Sequence, residues 1–143
     1  LINFISKFPI FPIFGSGNNL MQPVTARDLA IAYRQVLDNK EICINQNYNL
    51  SGQYPIKYKH LVKEVASQLG KKIVLIHLPI KLSYYTVLMG NRLISRFPLN
   101  EEQVLRMQEN KDFTHLKAEK DFEYKPMSFK EGIKSEIREY KNK

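Results

Sequence analysis

The sequence has one cysteine, Cys43, among 143 residues. An internal disulfide is therefore excluded, and a lone reduced thiol suits the cytoplasm. No sequence neighbour would lower the pKa of Cys43, so a buried structural thiol is expected rather than a nucleophile. Long hydrophobic runs are missing as well. The uncharged stretch Leu82 to Gly90 falls far short of the roughly 18 apolar residues of a membrane span. The apolar opening is interrupted by Lys7, Pro9 and Pro12 and no small-residue cleavage site follows, which argues against a signal peptide. A complete glycine fingerprint is absent. Gly15-Ser16-Gly17 has Leu20 where the third glycine belongs, and a strand is expected where a helix is needed. His60, His77 and His115 lack the spacing of a metal site and are read as surface or partly packed residues. There is no internal repeat or low-complexity linker, so residues 1–143 are expected to form one folded unit.

What is present fits a globular protein: 43% hydrophobic residues and enough length for a real core. Residue 1 is Leu, and Leu1 to Phe14 reads like mid-protein sequence, so a longer parent with its missing part upstream is expected. The net charge of +8 concentrates between residues 57 and 81, where Lys57, Lys59, Lys63, Lys71, Lys72 and Lys81 face only Glu64. Such a patch can hold nucleic acid, an acidic partner or a membrane surface. Without interleaved aromatics, a solvated helix face and a lysine-rich turn account for it better.

Hydrophobic spacing and turn residues order the chain into elements. Ile2, Phe4 and Ile5 read as the tail of a helix, and Pro9 to Phe14 as an extended edge segment. Gly15, Gly17, Asn18 and Asn19 form a tight loop, and Met21 to Val24 a short strand. Thr25 caps a helix to about Leu37, with Asp28 at the capping-box position and Leu29, Ala32, Tyr33, Val36 and Leu37 as its apolar face. Ile42, Ile44 and Tyr48 predict a strand from Ile42 to Leu50. Tyr58, Leu61, Val62, Val65, Ala66 and Leu69 predict a helix with Gly70 as its C-cap, followed by a strand from Ile73 to Leu78. Ile80 to Phe97 is helical in its first part, with Gly90-Asn91 as a break, and Tyr84 and Tyr85 are assigned to packing. Asn100, Gln103, Leu99 and Val104 predict a capped helix from Leu99 to Asn110. Ala118 to Phe122 is a short helix. The last helix is capped by Ser128 and Glu131, with Phe129, Ile133, Ile137 and Tyr140 as its stripe.

A resemblance runs through these elements in order. The stretch Phe14 to Ala30 combines a glycine loop, Gln22-Pro23-Val24 and Asp28-Leu29-Ala30. It is followed by Tyr48-Asn49-Leu50-Ser51-Gly52, Leu69-Gly70, His77-Leu78-Pro79 and the run from Phe122 to Gly132. Together they resemble the carboxyl-terminal part of NAD-dependent epimerase/dehydratase proteins, which are extended short-chain dehydrogenase/reductases. The similarity covers nearly the whole chain and rests on order and spacing.

The resemblance implies a mixed α/β, helix-rich fold: the C-terminal substrate-binding portion of such a protein, with the Rossmann cofactor half missing. The parent would bind NAD or NADP and act on a small molecule, a nucleotide sugar among the candidates; an oligomer is left open. No tyrosine is followed by lysine four residues on, although related reductases use that pair for proton transfer. This portion is therefore expected to bind no cofactor and to hold no catalytic or metal-binding residue. In nucleotide-sugar members the loop matching Ile13 to Gly17 lies near the base, and an arginine on the next strand pairs with the diphosphate. That arginine falls at Met21, which has neither charge nor donor. The implied substrate-binding candidates are Ile13, Phe14, Gly15, Met21 and Gln22. Met21 motivates a second reading, a non-catalytic assembly or stability module like the accessory subunit of respiratory complex I that this family resembles.

Overall fold

A computed structural model describes residues 1–93, 102 and 106–142. Leu99, Asn100, Gln103 and Val104, on which the predicted helix from Leu99 rests, lie outside the described residues, as does the end of the segment predicted to Phe97. The fold is mixed α/β. The chain divides into two compact units, Leu1–Leu20 with Lys57–Asn110, and Met21–Ile56 with Lys111–Lys143. Two short strands, β2 (Leu20–Met21) and β3 (Ile56–Lys57), lie where the chain passes from one unit to the other.

The first unit holds α1 (Ile2–Lys7), β1 (Ile10–Phe14), α4 (Tyr58–Gln68), β4 (Val74–Leu78) and α5 (Ile80–Leu93). Parallel strands need a crossover connection. β1 and β4 pair in parallel, with Ile10 opposite Val74 and Phe14 opposite Leu78. Alternation along β1 turns Phe11 and Ile13 into the core and leaves Ile10 outside. Phe11 stands edge-on to Tyr58 at the start of α4, and Leu61, Val62, Val65 and Ala66 of α4, the helical stripe expected from the sequence, are buried in the same unit. Each fully buried aliphatic side chain of this kind contributes about 1.5–3 kcal/mol. α4 ends in a Schellman motif: Lys71 N–H donates to Ala66 O at 2.9 Å and Gly70 N–H to Ser67 O at 3.0 Å, with Gly70 at φ +69°. The helix from Ile80 runs through Gly90-Asn91 to Leu93, contrary to the predicted break. Glycine inside a helix costs only about 1 kcal/mol, too little to end one that buries Val87 and Ser83.

The second unit holds α2 (Ala26–Asp38), α3 (Lys40–Cys43), α6 (Leu116–Phe122) and α7 (Phe129–Lys141). Its core is Ala32, Cys43, Ala118, Phe122 and Tyr124, with Val36, Tyr48 and Leu50 against it. Cys43 is a buried free thiol. The Thr25 hydroxyl accepts from Asp28 N–H at 3.0 Å and donates to the Asp28 carboxylate at 2.8 Å. Burial of Asp28 displaces the inward face of α2 toward Asp28, Ala32 and Val36, so Tyr33 and Leu37, predicted inside, are 66% and 73% exposed. The full capping box of α7 forms between Ser128 and Glu131. Ile137 is buried on its stripe, Phe129 and Ile133 half-buried, and Tyr140 exposed.

Two predicted strands take other forms. Ile42 to Leu50 begins in α3, buries Cys43 and leaves Ile42 and Ile44 exposed. Asn45 at φ +57° then turns the chain, a conformation asparagine tolerates. Met21 to Val24 is a strand only at Met21. Pro23 has no N–H to give a ladder, and the Gln22 side chain supplies the pairing beyond it.

Candidate functional site

The sequence-derived candidates divide between the units. Ile13, Phe14 and Gly15 belong to the first, Met21 and Gln22 to the second. Ile13 is fully buried in the first core. Phe14 O accepts from Gln108 Nε2 at 2.7 Å, and Gly15, at φ +74°, donates its N–H to Leu78 O at 2.8 Å. Gly17, at φ +66°, has no room for a side chain, since a Cβ there would stand 2.9 Å from Ile13 Cγ2. The loop between them is committed to turning the chain against α4, where Lys59 N–H donates to Gly17 O at 3.0 Å. Those contacts do not fit the dinucleotide cradle that its glycines suggest at first sight.

In the second unit, Gln22 ties three segments together. Its Nε2 donates to Gly52 O at 2.7 Å, and its Oε1 accepts from Phe113 N–H at 2.9 Å. Gly52 is required here, because a Cβ would overlap the Pro23 carbonyl oxygen. Both ends of the Gln22 amide serve backbone groups, so it shapes the site.

Two cavities flank this clamp, and Gln22 and Phe113 line both. One, of about 390 Å³, is lined by Met21, Tyr48, Asn49, Ser51 and Lys111. Met21 and Lys111 are bridge partners in parallel register, so among the described residues the only formally charged side chain lining this cavity stands beside the residue that lacks one. Tyr48 donates to Asp121 Oδ2 at 2.8 Å. Burial first, then hydrogen bonds to Cys43 and Asp121, hold its phenol above the ordinary tyrosine range. Lys117 Nζ lies 4.9 Å from the centre of the same ring.

The other cavity, of about 450 Å³, is lined by Tyr54, Asp112, His115, Glu119, Tyr124 and Lys125 among others. Its size is that of a small-molecule site. Ser51, buried behind it, donates to Phe113 O at 2.7 Å and lies 2.9 Å from His115 Nδ1. The Tyr124 hydroxyl donates to Ser51 O at 3.0 Å, and its ring meets His115 edge to face. Burial, with the Asp28 charge second, pushes the Tyr124 phenol up to about 12. The Ser51 hydroxyl thus serves the Phe113 carbonyl and the His115 ring together. Lys111 and His115 carry no signal of a site in the sequence; Ser51 and His115 are 64 residues apart. Among the described residues, no group of three His, Cys, Asp or Glu side chains could hold a metal ion, and no helix is long and apolar enough to cross a membrane.

No protein-family model matches the sequence, and no curated protein matches it either. Solved structures do match. The protein gox2253 superposes with a TM-score of 0.70 at 19% identity, over 99% of this chain and 43% of its own. RMD from Pseudomonas aeruginosa, solved with NADPH, gives 0.60 at 10% identity, over 99% and 39%. The dTDP-glucose 4,6-dehydratase of Bacillus anthracis, solved with NAD, gives 0.63 at 14% identity, over 99% and 37%. The chain thus has the fold of a part of these proteins and spans about two fifths of their length.

Proposed function

We propose that this chain is the substrate-binding portion of an NAD- or NADP-dependent protein of the epimerase/dehydratase type, with the cofactor held by a Rossmann half outside these residues. The observation that carries this reading is the superposition of 99% of the chain onto about two fifths of proteins solved with NADPH or NAD. The chain alone binds no nicotinamide and turns nothing over; its part is to receive a small substrate, a nucleotide sugar first among them.

Met21 weakens a diphosphate contact, and Lys111 supports one, since it brings an ammonium to the cavity that Met21 lines. On this reading UDP binds to the protein, Lys111→Ala lowers its affinity about tenfold and Met21→Arg raises it. Calorimetric titration with UDP tests it, and UDP affinity unmoved by either change contradicts it. The absence of a donor on Met21 favours a second reading, a non-catalytic assembly or stability module. Nicotinamide that binds the whole protein yet stays unreduced with every sugar nucleotide would select that one.

A further inference from the structure

The Ser51 hydroxyl has one proton, and it goes to Phe113 O. The 2.9 Å contact with His115 Nδ1 must then be donated by the ring, which places the neutral imidazole proton on Nδ1 and leaves Nε2 a bare acceptor. Among the described residues Nε2 has no hydrogen-bond partner and is not a buried orphan, and His115 lines the cavity, so its lone pair reaches solvent there. Asp112 and Glu119 line the same cavity, and neither forms an ion pair among the described residues. Among the described residues Lys125 is the one ammonium in the lining, so acceptors and negative charge prevail there. Tyr54 and Phe113, 73% and 55% exposed, add aromatic surface.

We propose that this cavity binds a small organic cation, a protonated amine on an apolar or aromatic body, whose N–H donates to His115 Nε2. An anion would meet a lone pair and two carboxylates against a single lysine. A neutral alcohol could donate to the same atoms but would forgo the attraction of the carboxylates and of the ring faces. This site does not depend on the sugar-nucleotide reading, which concerns the cavity beside Met21.

Three probes of one shape separate these chemistries: benzylammonium, benzyl alcohol and benzoate, titrated into the protein at neutral pH and followed by nitrogen-15 NMR of the histidines. Benzylammonium is expected to bind about tenfold tighter than benzyl alcohol, and benzoate not to saturate. The His115 Nε2 resonance should move while Nδ1 keeps its proton. Glu119→Gln, at an exposed position in the first turn of α6, should weaken benzylammonium several-fold and leave benzyl alcohol unchanged. Equal affinities, a preference for benzoate, no saturable benzylammonium binding, or an unmoved Nε2 each overturn the proposal.

Discussion

Ser51 fixes the tautomer of His115. Its hydroxyl spends its proton on Phe113 O at 2.7 Å and accepts from His115 Nδ1 at 2.9 Å, so a buried side chain decides which imidazole nitrogen is basic. Ser51→Ala should release the ring to a mixture of tautomers, visible in the nitrogen-15 shifts of His115. Because the change leaves a polar pair without a partner, it should also cost about 1–3 kcal/mol of stability. Unchanged histidine shifts in that variant would show that the ring is held by something else.

The Gln22 clamp makes a second expectation. Gln22→Leu removes the partners of Gly52 O and Phe113 N–H together, at a cost of about 2–4 kcal/mol. Gln22→Glu keeps the acceptor and turns the donor into a carboxylate oxygen facing a carbonyl. It should be destabilising at neutral pH and recover in part as the carboxyl protonates. Urea denaturation of both variants at pH 7 and pH 4 reads the difference.

Two glycines should respond unequally to alanine. Gly70 has open space around its Cα and pays only for φ +69°, about 1 kcal/mol. Gly52→Ala drives a methyl into the Pro23 carbonyl and should lose several times as much, as seen by thermal melting. Equal losses would mean that the Pro23 segment yields freely.

The pH dependence follows from groups whose folded pKa is displaced. Tyr124 is raised to about 12, so its share of stability is whole below the unfolded phenol value near 10 and drains away as pH rises through 12. Tyr48 acts in the same direction. Glu131 is lowered by its hydrogen bonds with the Ser128 hydroxyl first and the Ser128 backbone second. Its contribution is present above the ordinary carboxylate value and lost as pH falls through the folded one. Chemical denaturation from pH 3 to 12 should therefore decline at both ends, and Glu131→Gln should flatten the acid limb.

Local features were the readable part of this chain. The Thr25 cap, the Ser128–Glu131 capping box, the stop at Gly70 and the stripe of α4 depend on residues within a turn or two of each other, and all appear, although Asp28 accepts from the Thr25 hydroxyl and Met127 N–H in place of the Thr25 N–H that a capping box requires. The outer positions of α2 misled because a buried carboxylate, Asp28, took a place that periodicity reserves for an apolar side chain. The strand expected from Ile42 failed because β propensity without a partner strand yields to the burial of Cys43 and the turn at Asn45. Gln22 stood out in the sequence, but its partner Phe113 lies 91 residues away. Lys111 beside Met21 and Ser51 beside His115 are meetings of the same kind, and nothing in the local pattern announces them.

Hydride transfer tests most directly the proposed division of labour between this portion and a cofactor-binding half. With a sugar nucleotide supplied, the whole protein should change the absorbance of its nicotinamide, while residues 1–143 alone should leave added NAD and NADP untouched. Turnover by the 143 residues alone, at a rate near that of the whole protein, would contradict the account.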